Sequence, residues 1–448
     1  MKRPSLSRPL GFFLLVALLL VPQLAQAQIK EVVSRGGVHA WLIEDHSLPL
    51  ITVNFAFEGG SALDPAGKEG RASLLASLLD EGAGDLDSRA FQQALAERSI
   101  ALSFSADEDA LFGQLKTLSR EQANAFALLR LALHNARFET EAIGRMRDSL
   151  VAQRQYGLSD PNWLASQAFE QVAMTGHPYG RPANGTVATL GAITRDDLVA
   201  AVPQHLVKNR LHIAVVGDMT AAALAVTLDQ VFADLAVGAD SVQLPPLAVT
   251  GAGQTVLIER DQPQTVLLAG MPGIKREDPD WFAALTMNYI LGGDFQSRLM
   301  SEIRIKRGLT YGISTALVPY KAGGMFYAMA SADNAKVAEL LTRLKDEMRR
   351  LVKDGVTTTE LSEAKTYLTG AFALRFNSSD GIAAVLLEIQ RLGFSPAYLN
   401  ERAKQIDAVT SADVARLAEQ LVKPDAMTTI VVGKPAGIET TSTVSIKP

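Results

Sequence analysis

From Ile51 to Phe57, apolar side chains at Ile51, Val53, Phe55 and Phe57 alternate with less apolar neighbours, the period-2 pattern of a strand. Between Val337 and Leu351 the apolar positions are Val337, Leu340, Leu341, Leu344, Met348 and Leu351, which is helical spacing. Tyr311 to Ala330 reads as a hairpin turning at Lys321-Ala322-Gly323-Gly324. Asp278-Pro279 places a capping aspartate before a first-turn proline. That pattern predicts a helix through Trp281, Leu285 and Ile290, stopping at the glycine cap Gly292-Gly293.

These elements occur twice, at an offset of about 215 residues. Leu42-Ile43-Glu44 recurs as Leu257-Ile258-Glu259, and each is followed by a proline turn (Pro49, Pro263). Thr194 to Leu198 matches Thr410 to Val414, a helix start with a threonine cap and an acid three residues on. Leu206-Val207-Lys208 matches Leu421-Val422-Lys423, and Val215-Val216-Gly217 matches Val431-Val432-Gly433. Ordered matches at one offset predict a duplicated unit. Each copy reads strand, strand, helix, helix, hairpin, several helices, strand. The expected fold is α+β, two homologous domains that are each a mixed sheet with helices on one face. The expected boundaries are 28–238 for the first repeat, 239–253 for a linker containing Pro245-Pro246, and 254–448 for the second repeat.

One apolar run falls outside this scheme. Lys2, Arg3 and Arg8 precede the apolar segment Leu10 to Val21, and Ala25-Gln26-Ala27 supplies small residues at a cleavage site. The run is shorter than the ~20 residues that span a bilayer, so residues 1–27 read as a signal peptide and the mature chain as periplasmic. Loss of those three cations, with no acid among them, lowers the formal net charge from −5 to −8. Nucleic-acid binding needs a basic footprint, which this balance lacks, and no second run is long enough to span a membrane. There is no cysteine, which excludes disulfides, thiolate metal sites and a cysteine nucleophile.

Three segments carry a resemblance to a known family. Leu42 to Gly84, the loop Gly176 to Thr186 (GHPYGRPANGT) and Asn288 to Ser314 (NYILGGDFQSRLMSEIRIKRGLTYGIS) resemble the insulinase/pitrilysin zinc peptidases, processing peptidase subunits included. Active members carry a His-x-x-Glu-His helix that binds zinc and activates water, completed by a distal glutamate. Aligned on Gly70 and Leu74-Leu75, those positions fall here on Ser73, Ala76, Ser77 and, for the distal ligand, Gln153. The resemblance therefore implies no metal and no cofactor in this chain. Small residues at 73, 76 and 77 also suit the close packing of another element. Of the six histidines, no two stand four apart. Ser73 and Ser77 sit in no Gly-x-Ser-x-Gly elbow and have no partner base nearby in the chain, so neither reads as a nucleophile.

The family's second half contributes an arginine and a tyrosine to the site, and Arg304 and Tyr311 stand at that spacing. The arginine is expected at a helix end and the tyrosine at the start of the next strand. A guanidinium donates paired hydrogen bonds, and a phenol can donate to an oxyanion. By themselves, Arg304 reads equally as one of three helix-end cations, with Lys306 and Arg307, and Tyr311 as a strand aromatic. By resemblance Gly292 and Gly293 belong to a substrate-facing glycine loop. The implied function is a non-zinc subunit of a heterodimer whose homologous partner supplies the zinc, the substrate being a peptide or unfolded protein. The alternative is a peptide-binding or scaffold protein of the same fold.

Overall fold

The computed structural model describes residues 29–448, so the expected signal peptide lies outside the described residues. Six strands form the first sheet: β1 (Lys30–Val33), β2 (His39–Glu44), β3 (Leu50–Glu58), β4 (Ala101–Ala106), β5 (Ala110–Leu118) and β6 (Leu211–Gly217). Their spatial order is β1-β2-β6-β3-β5-β4. The second sheet holds β7 (Thr255–Glu259), β8 (Gln264–Pro272), β9 (Ile313–Tyr320), β10 (Gly323–Asp333), β11 (Thr428–Gly433) and β12 (Ser442–Thr443), in the order β12-β7-β11-β8-β10-β9. Both sheets are mixed: β2 runs parallel to β6 and β7 to β11, while the hairpins are antiparallel. The α+β class expected from the sequence is the class observed.

The repeated tripeptides pair with each other. Leu42 faces Val215 and Ile43 faces Val216, just as Leu257 faces Val431 and Ile258 faces Val432. Gly217 and Gly433 close these strands at φ of 133° and 148°. A Cβ there would stand 2.0 Å from Leu50 O in the first copy and 2.6 Å from Thr265 Oγ1 in the second, so only glycine lets the next strand approach.

Helices of the first half are α1 (Arg71–Leu78), α2 (Ser88–Glu97), α3 (Gln122–His134), α4 (Thr140–Gly157), α5 (Pro161–Ala173), α6 (Val187–Ala192), α7 (Arg195–His205) and α8 (Ala221–Phe232). Those of the second are α9 (Trp281–Asn288), α10 (Val337–Asp354), α11 (Thr358–Ala373), α12 (Ser379–Arg391), α13 (Tyr398–Ala408) and α14 (Ser411–Leu421). α7 and α14 start with the same reciprocal capping box, Thr194 with Asp197 and Thr410 with Asp413.

One face of the first sheet buries Val53, Phe55, Phe57, Leu111 and Leu115 against Leu74, Leu75 and Leu78 of α1 and the other first-half helices. The expectation of helices on one face only is incomplete, because the halves exchange a helix. α12 crosses the other face of the first sheet over β3 and β6, and α5 packs on β8 and β11 of the second. Leu164, Ala165, Ala168 and Phe169 of α5 thereby share a core with Val256, Ile258, Val266, Leu268, Ile430 and Val432. Where β2 stops pairing, Gln390 of α12 takes over, donating to Ile213 O at 2.8 Å and accepting from Ile213 N at 3.1 Å. The two halves are thus welded through apolar burial and through main-chain groups that a lone sheet would leave open.

Two local expectations need correction. The cap before α9 is Asp280, while Asp278 Oδ1 accepts from the Asp280 amide, so the helix starts two residues later than the Asp-Pro signal placed it. At its other end, Gly292 and Gly293 form no left-handed cap. The helix continues as a π-helical turn, Tyr289–Gly293, and a second π-helical turn follows at Met300–Ile305.

Candidate functional site

The positions aligned to the zinc ligands lie on α1 and α4, which pack against each other. Asp64 anchors the start of α1, its two carboxylate oxygens accepting from the Gly70 and Ala72 amides at 3.0 Å each. Burial pushes the Asp64 carboxyl up to about 7, against the pull of Arg71. On the helix itself, Ser73 donates to Asn184 Oδ1 at 2.8 Å, and Ser77 donates to Leu74 O of its own helix at 2.9 Å. Ala76 is buried and has no donor atom, and the Gln153 side chain is exposed on α4. These residues do not fit a zinc ion. The two hydroxyls are neutral and already engaged by neighbouring oxygens, and neither an imidazole nor a carboxylate stands in the set.

The Gly176 to Thr186 loop is a structural junction in this chain. Arg181 donates to Asp64 O at 2.7 Å and to Ala62 O at 3.0 Å. His177 Nε2 meets Pro245 O of the linker at 2.9 Å, and His177 Nδ1 accepts from the Tyr179 amide. The buried Tyr179 hydroxyl donates to Asp109 Oδ1 and accepts from the Ala322 amide at 3.2 Å, while Asp109 Oδ2 accepts from the Lys321 amide at 2.9 Å. Desolvation and the Asp109 carboxylate push the Tyr179 phenol up. A tyrosine and an aspartate 70 residues apart thereby hold the β9–β10 turn of the second half to the β4–β5 turn of the first. The sequence pattern carried no signal for that pairing.

Arg304 lies in the second π-helical turn, as expected of a helix end. Its guanidinium stands 4.8 Å from the centre of the Phe295 ring, and it has no carboxylate or carbonyl partner among the described residues. Tyr311 does not open a strand: it precedes β9 by two residues, in a loop where Thr310 is buried and Tyr311 is 81% exposed. Thr310 Oγ1 lies 2.7 Å from Gly312 O and 2.6 Å from Ser331 O, which share its one hydrogen, and it accepts from the Gly312 amide at 3.0 Å. This three-way clamp fixes the loop and turns the next side chain to solvent. The Tyr311 hydroxyl also has no partner among the described residues.

Gly292 lets β9 close on the preceding helix, since a Cβ there would lie 2.7 Å from Thr315 Oγ1. Gly292, Gly293, Phe295, Gly312 and Ser314 line an open groove of about 390 Å³, together with Asn162 from α5 of the first half. Its walls include the ring under Arg304 and the residue next to Tyr311. Phe295 and Thr310 escaped the sequence reading because neither follows a core periodicity. No hydrogen bond, ion pair or ring contact joins Ser73, Ala76, Ser77 or Gln153 to Arg304 or Tyr311 among the described residues.

Comparison with known proteins places this geometry. Residues 192–368 match the family described as Peptidase M16 inactive domain. The solved peptidase M16 inactive domain from Pseudomonas fluorescens superposes with a TM-score of 0.86 at 26% identity, covering 92% of this chain and 99% of that one. Residues 192–368 are of the inactive M16 type, and the whole chain shares the fold of such a domain, in keeping with an α1 that offers no zinc ligand. A protein named non-peptidase homolog YmxG, from Helicobacter pylori, is 26% identical over 356 residues, 78% of this chain and 81% of its own. A protease from Helicobacter pylori shares this chain's fold, with a TM-score of 0.82 at 18% identity over 91% of this chain and 99% of that one.

Proposed function

We propose that this chain is a periplasmic, non-catalytic M16 subunit that pairs with a homologous zinc-bearing chain and completes that partner's peptidase site with Arg304 and Tyr311. The reading rests on one observation: two polar side chains at the family's spacing stand on a fixed loop and an aromatic ring, with no hydrogen-bond or ionic partner among the described residues. In the proposed pair, the Arg304 fork holds a substrate carbonyl, and the Tyr311 hydroxyl donates to the oxygen on which negative charge develops during acyl transfer. The partner supplies the zinc. The substrate is a peptide or unfolded protein in extended form, and β9, an outer strand beginning two residues after Tyr311, offers a free edge for strand addition.

The test is reconstitution with an M16 homologue that retains His-x-x-Glu-His. Activity is expected from the mixture and from neither chain alone. Tyr311→Phe should lower turnover on the order of 10²–10³-fold, the cost of one oxyanion donor, without weakening assembly. If the mixture cleaves peptide and Tyr311→Phe and Arg304→Ala both stay within about twofold of wild type, the chain is a scaffold and the donated pair is wrong. Failure of every homologue to complement moves the stand-alone peptide-binding reading ahead.

A further inference from the structure

Residues 441–448 touch both halves at once. After β11 the chain runs through residues 434–441 without helix or strand, then adds β12 to the outer side of β7. The Thr441 amide donates to Thr255 O at 2.7 Å, Ser442 and Thr443 run parallel to Val256 and Leu257, and the Val444 amide donates to Leu257 O at 3.1 Å. Val444 and Ile446 pack against the core that α5 shares with the second sheet, while Ser445 and Lys447 are exposed.

The first half grips the other end of this segment. Arg154 of α4 is 7% exposed and lies 5.3 Å from the centre of the Trp163 ring. It makes no ion pair among the described residues. Its fork closes instead on a main-chain oxygen: Nε and Nη2 donate to Lys447 O at 3.0 and 2.7 Å, and Nη1 has only Gln167 Oε1 at 3.5 Å. The Val187 amide, at the start of α6, donates to Pro448 O at 3.2 Å. The segment thereby reaches the neighbourhood of the vestigial metal positions. Arg154 follows Gln153, and Asn184, which holds Ser73, stands three residues before Val187.

Apart from the Thr441 hydroxyl, the polar bonds that hold residues 441–448 reach their main chain, and only Val444 and Ile446 are half-buried. Main-chain pairing at a sheet edge tolerates many sequences, and a buried guanidinium without a carboxylate needs an oxygen from whatever lies across it. We infer that the β7 edge, α5 and Arg154 form a binding site for an extended peptide segment with apolar side chains two residues apart, and that residues 441–448 occupy it as a built-in competitor. A helix does not suit this site, because its own ladder occupies the amides and carbonyls that β7 and Arg154 would meet. The site uses neither Arg304 nor Tyr311, so its test stands apart from the proposed pairing.

The experiment uses the full chain and, as probe, the free peptide TSTVSIKP, the sequence of residues 441–448. A tethered segment competes at an effective concentration in the mM range, so wild type should bind the fluorescent peptide only weakly. Val444→Asp combined with Ile446→Asp should free the segment and tighten peptide binding at least roughly tenfold. Adding Arg154→Ala to that released chain should weaken binding severalfold, with circular dichroism checking that it stays folded. A probe peptide carrying the same two aspartates leaves the protein untouched and should bind the released chain at least roughly tenfold less tightly. The chain has no cysteine, so Lys447→Cys accepts a single fluorophore, whose anisotropy should fall as about 10 mM unlabelled peptide lifts the segment. Equal binding by wild type and the released chain, no saturation of the released chain at about 1 mM peptide, or an aspartate probe that binds as well as the native one would each overturn the assignment.

Discussion

Arg304 rests on Phe295: the guanidinium carbon lies 4.8 Å from the ring centre, and the ring itself is 57% exposed. Stacking restrains the arginine while consuming none of its five N–H donors, so the fork stays available to an incoming carbonyl. An ion pair would have held it equally well but spent those donors.

That geometry predicts a graded response in the reconstituted enzyme. Phe295→Leu should lower turnover about two- to fivefold, matching the ~0.5–1 kcal/mol of an exposed cation–π contact. Arg304→Lys should cost more, because the planar fork is lost while the charge is kept. Denaturant unfolding of both variants should stay within about 0.5 kcal/mol of wild type. Equal turnover for wild type and Phe295→Leu would show that the ring does not position Arg304.

Thr310→Val keeps the volume of the side chain and deletes its hydroxyl. The part-buried carbonyls of Gly312 and Ser331, which share its one hydrogen, then lose a donor and the Gly312 amide loses an acceptor, at a cost of about 0.5–1.5 kcal/mol. Thr310→Ser restores the hydroxyl and should recover most of that loss. Urea midpoints of the three proteins check the order wild type, Ser, Val from most to least stable.

The repeat, its strands and both threonine-capped helices were legible in the sequence because each rests on local pattern: ordered matches at one offset, period-2 alternation and a capping box. The Arg304 and Tyr311 pair came from family resemblance alone, since neither residue stands out by local pattern. What was hidden depends on tertiary contact. Nothing along the chain marks α5 and α12 for exchange, since an apolar stripe does not name the sheet it will cover. The link between Tyr179 and Asp109 joins distant residues, and Phe295 is an exposed aromatic with no periodic signature. The shift of the α9 cap from Asp278 to Asp280 reflects two aspartates competing for one helix start. The two-residue signal Gly292-Gly293 marked the right end point but the wrong device, because a π-helical turn needs no left-handed glycine.

Metal content follows from the α1 geometry. The purified chain, dialysed against zinc and then buffer, should retain well under one equivalent by elemental analysis. Ser73 and Ser77 already donate to Asn184 and Leu74, and neutral hydroxyls are poor zinc ligands. About one tightly held zinc per chain would show that some other ligand set exists.

The last prediction concerns Glu170 on α5, the helix that crosses to the second sheet. Desolvation first, then the charge of Glu108 on the β4–β5 turn, pushes its carboxyl up to about 8 from an ordinary 4.5. Gln167 of its own helix donates to it at 2.9 Å, and Tyr320 and Tyr327 of the second half feel its charge. The sign follows directly. Between about 4.5 and 8 the folded chain binds the proton more tightly than the unfolded chain, so this group's contribution to stability falls as pH rises through that window. Asp64, raised to about 7, and Asp80, raised to about 6, act in the same direction, so wild-type stability alone cannot isolate Glu170. Glu170→Gln can, because the amide is nearly isosteric with the protonated acid and does not titrate. Near pH 4.5 the variant and wild type should unfold at similar urea concentrations. The variant should then gain on wild type steadily up to about pH 8 and hold a constant lead above it. A difference that stays flat from pH 5 to pH 8.5 would mean that Glu170 is solvated at the junction of the two halves, and that its neighbours do not perturb it.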